Sequence, residues 1–184
     1  MKIWTLDLEM DKKNGDTPII EVGVAVFSVT KDNFELVKTM NILVDHGKPV
    51  DGWISNYTGI TTEMLKNSDC KSVEDAYLRT KNFVSGCFMN PIVWGKGDSY
   101  LFREQAKVSK DDCFMGYRFV DAKDLHQSFQ VILNKKIKGG LEASLKVHGL
   151  SFDTRFGTPH RALADAYNTG IIWNHLTKKM IQKA

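Results

Sequence analysis

The sequence predicts an α/β or α+β domain with a mixed sheet. Three extended runs rich in β-branched residues occupy residues 1–45, strand-like runs at 92–94 and 117–120 then alternate with helical patterns, and the chain beyond Asp121 reads as mostly helical. At 184 residues it forms one domain, 1–184, large enough to bury a core. Hydrophobic content of 42% and charged content of 26% are those of a soluble globular protein.

Each element has its own signal. Ile3 to Met10 alternates apolar and polar residues, as a strand with one buried face does. The runs Pro18–Ser28 and Phe34–Val44 flank Lys31-Asp32-Asn33, a turn sequence that makes them a hairpin. Glu21 interrupts the first of these runs and reads as a strand-end acid without a catalytic role. Residues 45–59 read as a loop, because Gly47, Pro49, Gly52 and Gly59 are breakers. Thr61 to Met64 is a short helix, and Ser72 caps a longer one carrying Val73, Ala76, Tyr77, Phe83 and Val84 and closed by Gly86. Ile92 to Trp94 is a short buried strand, Ser99–Val108 a helix, and Tyr117–Val120 a strand. Asp121–Leu133 places Leu125, Phe129, Ile132 and Leu133 on one side of a helix, and Leu141–His148 is a short helix ended by Gly149. The last helix runs from about Pro159, proline being favoured in a first turn, to Met180.

Composition excludes several classes. No apolar stretch reaches the roughly 18 residues of a membrane span. Met1-Lys2-Ile3-Trp4 runs straight into the first strand and is not a signal peptide. Cys70, Cys87 and Cys113 are odd in number and form no CxxC pair, which fits a reducing cytoplasm better than a disulfide scaffold or a zinc cluster. A net charge of +3 and a pI of about 8.7 permit a polyanionic partner without demanding one. The basic stretches Lys135–Lys138 and Lys178–Lys183 read as solvated helix faces and a charged tail.

Three acidic positions carry the chemistry. Asp7 and Glu9 are two apart on the first strand, so both side chains leave the same face of an otherwise apolar segment. Two readings fit that pair: an edge strand with solvated acids, or a site where a hard divalent cation offsets the repulsion. Asp98 follows the short strand in Val93-Trp94-Gly95-Lys96-Gly97-Asp98. Asp165 sits between Leu163 and Ala166 in the last helix, where an unpaired acid is costly unless a cation meets it.

In this order the motifs resemble the DnaQ-like superfamily of 3′–5′ exonucleases, in the DEDDh branch named for four acids and a histidine. The resemblance rests on DLEM at 7–10, TGITTEML at 58–65, WGKGD at 94–98 and HRALADAYNT at 160–169, spread over nearly the whole chain. It implies a ribonuclease H-like fold, with a central mixed five-stranded sheet flanked by helices. DLEM and HRAL also look like oligoribonuclease. The Trp94-Gly95 pair before Asp98 and the stretch Gly157-Thr158-Pro159-His160 look more like the enhanced-RNAi type of exoribonuclease, whose branch acts on RNA 3′ ends and in some members on DNA. One departure is Gly97, with Lys96 beside it, where many relatives carry an aromatic residue that helps position the scissile end. Tyr100 and Phe102 are nearby aromatics that read as core residues of the following helix.

The resemblance also implies the roles. Two divalent cations, Mg²⁺ or Mn²⁺, would be held by Asp7, Glu9, Asp98 and Asp165, with Asp7 bridging and Asp98 acting largely through water. Such a pair of ions lowers the pKa of bound water and holds both oxygens of an in-line displacement. His160 would be the general base, its imidazole titrating near neutrality. Five residues separate it from Asp165, which on a regular helix would place them on different faces, so His160 belongs to the entry turn. Met10, Tyr57 and Thr58 match the region that contacts the terminal nucleotide. His46, His126, His148 and His175 read as structural or surface residues. The expected partners are single-stranded RNA or DNA 3′ ends, yielding nucleoside 5′-monophosphates, with no obligatory protein partner. A proofreading exonuclease docked to a DNA polymerase normally has a further tail, whereas this chain ends at Ala184. A non-catalytic nucleic-acid-binding module would be expected to lack a metal-site acid, and none of the five residues is missing.

Overall fold

The computed structural model describes residues 1–12, 17–95, 97–109, 111–115, 119–134 and 139–182. Lys96, Tyr117, the stretch Lys135–Lys138, Lys183 and Ala184 lie outside the described residues. Strands β1 (Lys2–Met10), β2 (Ile19–Val29), β3 (Phe34–Leu43), β4 (Ile92–Val93) and β5 (Val120–Asp121) form one sheet in the order β3-β2-β1-β4-β5. The first three are antiparallel, with Asp7 opposite Gly23 and Glu9 opposite Glu21, while β4 joins β1 in parallel and β5 joins β4 in parallel. The sheet is therefore mixed and five-stranded, as the sequence predicts.

The pleat sorts side chains onto two faces. On one face Trp4, Leu6 and Leu8 pack with Val22, Val24 and Val26 against helices α3 (Val73–Phe83) and α4 (Gly97–Gln105) through Ala76, Tyr77 and Phe102. On the other, Ile3, Ala25 and Phe27 meet helix α7 (Ala162–Ile181), where the Tyr167 ring lies tilted against Phe27 at 5.8 Å between centroids. Asp7 and Glu9 share that second face, so α7 is the helix laid over them. Two glycines permit the close approach: a Cβ on Gly23 would lie 2.1 Å from the carbonyl carbon of Ala162, and one on Gly170 would lie 2.4 Å from the Phe27 ring.

Helices α1 (Gly52–Thr58), α2 (Thr62–Lys66), α5 (Ala122–Ile132) and α6 (Leu141–Val147) complete the described elements. α1 corrects the loop expected over 45–59: the Asp51 side chain caps it by accepting from the Trp53 amide at 2.8 Å, and Ile54 and Thr58 bury one face. α3 ends at Phe83 rather than at Gly86. α4 begins at Gly97, which puts Asp98 in its first turn; Phe102 is core as expected, whereas Tyr100 is exposed beside Arg103. On α5, His126 is buried and its Nδ1 lies 3.0 Å from Nε2 of His148, whose ring also neighbours His175, so these histidines tie α5, α6 and α7 together. Ile132 and Leu133, expected on the buried side of that helix, are exposed at its end. Cys70, Cys87 and Cys113 are thiols outside any disulfide among the described residues, where no helix is long and apolar enough to cross a membrane.

Candidate active site

The site is built at the end of β1 by three segments distant in sequence. β1 supplies Asp7 and Glu9, the first turn of α4 supplies Asp98, and the entry to α7 supplies His160 and Asp165. Side-chain ligand atoms of Glu9, His160 and Asp165 all lie within 4.8 Å of one another. Asp7 and Asp98 join this group electrostatically. Burial pushes the Asp7 carboxyl well above the usual range, and the charges of Asp98, Asp165, Glu9 and Glu21 push it further. Glu9 is raised to about 8, first by burial and then by Asp165, Glu21 and Asp98, against the opposing pull of Lys12. Asp98 and Asp165 are each raised to about 7, burial being the leading cause in both.

So many buried, mutually repelling carboxyls call for positive charge. The buried Oδ1 of Asp165 has no hydrogen-bond partner among the described residues. Hard carboxylate oxygens with one imidazole at their edge form a donor set that suits divalent cations.

The turn before α7 explains the place of His160. The helix starts at Ala162, not at Pro159, and His160 sits two residues ahead of it with φ of 68°, a left-handed conformation uncommon outside glycine. That turn brings its side chain back beside Asp165, and its backbone N–H points at Asp165 Oδ2 at 3.4 Å. Burial lowers the pKa of the imidazole, with Glu142 opposing. The Tyr57 ring lies over the His160 ring at 3.9 Å between centroids and 25° between planes. Trp53, one turn earlier on α1, stacks on Tyr57 at 4.9 Å and is 64% exposed.

Met10 follows Glu9 across a register shift in the β1–β2 ladder, and its side chain packs on the core. Thr58 is buried; its hydroxyl donates to the Ile54 carbonyl and accepts from the Ile60 amide, which leaves only its backbone for other duties. Sequence reasoning missed Trp53, Glu21 and Arg161. Glu21 does lie near a strand end, third in β2, but it is fully buried opposite Glu9 and bonded to Arg161 and to the Ala162 amide. The signal was present, since a lone charge inside an unbroken run of buried β-branched residues requires a partner.

Comparison with known proteins agrees with this geometry. No curated protein sequence matches the chain. Among solved structures, the nuclease domain of 3′hExo, a DEDDh family member bound to rAMP, superposes with a TM-score of 0.73 at 16% identity, over 100% of this chain and 92% of its own. Exonuclease X in complex with 5′ overhanging duplex DNA gives 0.66 at 20% identity, over 96% of this chain and 92% of its own. E. coli exonuclease I in complex with a dT13 oligonucleotide gives 0.71 at 10% identity, and the chain, 98% of which is covered, spans only 42% of its length. At such identities the likeness is one of fold. The exonuclease model named RNase T matches residues 5–172, a span that holds all four acids and the histidine. The chain therefore belongs to the RNase T exonuclease family.

Proposed function

We propose that the protein is a metal-dependent 3′–5′ exonuclease that removes nucleoside 5′-monophosphates from the 3′ end of single-stranded RNA or DNA. The observation that carries this reading is the convergence of Glu9, His160 and Asp165 within 4.8 Å, with Asp7 and Asp98 coupled to them by charge. Two divalent cations, Mg²⁺ or Mn²⁺, held by Asp7, Glu9, Asp98 and Asp165 would offset the crowded carboxylates, acidify an attacking water and neutralise the leaving oxyanion. His160, its pKa lowered by burial, would take the proton of the attacking water at an imidazole nitrogen. The water oxygen bonds to phosphorus, the P–O3′ bond breaks, and the 3′ oxygen of the shortened strand acquires a proton. The released nucleotide keeps its 5′ phosphate.

The stack Trp53–Tyr57–His160 supplies an aromatic platform beside the reacting phosphate, on which a splayed terminal base can stack. That platform replaces the aromatic residue missing before Asp98. Met10 and Thr58 would contact the terminal nucleotide through their backbones. The Trp94-Gly95 pair and the turn at Gly157–His160 support the enhanced-RNAi type branch and hence RNA ends, and three cysteines kept as thiols support a cytoplasmic setting.

The test incubates 5′-labelled single-stranded RNA and DNA of equal sequence with the protein, with and without EDTA. A metal-dependent ladder of shortened products is expected, abolished by Asp7→Ala and strongly reduced by His160→Ala. A blocked 3′ hydroxyl should protect the strand, and internal cutting despite the block would refute the exonuclease reading.

A further inference from the structure

We propose that Glu21, acting through Arg161 and the first amide of α7, is a positioning residue that fixes the His160–Asp165 segment against Glu9. The inference rests on the exonuclease reading above for what is positioned, and on separate contacts for how.

Glu21 is a rigid post. It is the third residue of β2, paired with Glu9 on one side and Leu43 on the other, and is 0% exposed. Among the described residues its carboxylate accepts hydrogen bonds from Asn41, Arg161 and the Ala162 amide. Oε1 accepts from Nδ2 of Asn41 at 2.9 Å and from Nη2 of Arg161; Nε of Arg161 donates to both oxygens at 3.1 and 3.2 Å. Oε2 accepts from the Ala162 amide at 2.8 Å. That last bond caps α7 from outside, since the N-cap residue Arg161 provides no side-chain cap of its own. The helix end that carries Asp165, and the residue that directly follows His160, are thus both tied to the strand neighbouring Glu9. Two residues along, Gly23 lets the Ala162 backbone rest on the strand, so the tie has no slack.

A buried ion pair contributes little to stability compared with apolar residues of the same volume, so stability alone is a weak reason for it here. Placement is a better one: the left-handed turn at His160 holds only if both its flanks are fixed.

The full chain is compared with Glu21→Gln, Arg161→Ala and Arg161→Lys. Readouts are kcat and KM on a labelled single-stranded oligonucleotide, Mn²⁺ binding without substrate by electron paramagnetic resonance, and thermal melting. Glu21→Gln places an amide N–H against one of the donors whichever way it turns. We expect kcat to fall about 30- to 100-fold with KM within about threefold, and Mn²⁺ affinity to fall about tenfold. Arg161→Lys keeps the charge but not the two-pronged geometry, and should remain at least about tenfold below wild type in kcat. Recovery by lysine to within about threefold of wild type would reduce the pair to background charge and overturn the proposal. So would a rise in KM at unchanged kcat, which would make Arg161, 24% exposed by its side chain, a substrate contact. If Glu21→Gln does not fold, the Arg161 variants decide. If the wild type has no nuclease activity, the exonuclease reading falls, while Mn²⁺ binding by the variants still decides the positioning role.

Discussion

Tyr57 and His160 lie face to face at 3.9 Å, and Trp53 extends the same stack toward solvent. The stack holds the imidazole against an aromatic ring, and on the proposed function it would offer that surface to a base. Tyr57→Phe retains the ring and should leave kcat/KM within about threefold, whereas Tyr57→Ala should lower it about tenfold to a hundredfold, because stacking one base contributes ~1–3 kcal/mol. Steady-state kinetics on a short labelled strand check this; an unchanged Tyr57→Ala enzyme would remove Tyr57 from the site. At this scale the four acids and His160 were legible as candidates, since residue type and order are read directly from the chain. Trp53 and Arg161 were not, because an exposed tryptophan and a basic residue beside a histidine carry no signal until folding supplies their neighbours.

α7 is the element on which the site depends. It brings His160 and Asp165 to β1, and its tight seat on β2 requires a glycine at 23, where a Cβ would lie 2.1 Å from the backbone carbonyl carbon of Ala162. Gly23→Ala should destabilise the fold by at least about 2 kcal/mol through overpacking against backbone that cannot yield. The same displacement should lower kcat even at temperatures where the variant is fully folded. Urea unfolding together with activity at low temperature separates the two effects; a variant as stable and active as wild type would show that the helix can shift freely. The strands and most helices were legible from β-branched runs, turn residues and apolar periodicity. α1 was not, because the glycines of that stretch read as breakers, whereas Gly52 opens the helix and Gly59 closes it in a left-handed conformation.

For the molecule as a whole, the raised carboxyls make stability depend on pH and metal together. Glu9 at about 8, and Asp98 and Asp165 at about 7, all exceed their ordinary values. Groups with raised folded pKa values leave stability intact below the unfolded pKa, near 4, and withdraw it as pH climbs through the folded values. Metal-free protein should therefore lose thermal stability between about pH 5 and pH 8. A divalent cation must displace protons at low pH but meets ionised carboxylates at high pH, so excess Mg²⁺ should raise the melting temperature more at about pH 8 than at about pH 5.5. Thermal melts across that range, with EDTA and with Mg²⁺, measure both trends. A stabilisation by Mg²⁺ that is the same at every pH would mean that these carboxyls do not hold the ion.

By itself the sequence determined the strand-rich first third and the mixed sheet, and it named the five candidate residues that the proposal uses, because alternation, periodicity and side-chain type are local properties. Tertiary structure alone decided that Glu21 is a buried anchor, that Arg161 answers it across 140 residues of chain, and that His160 turns back under Tyr57. The physical reason is that these roles consist of contacts between segments remote in sequence. A charge in a strand or a ring on a short helix acquires its partner only when the sheet registers and α7 is seated.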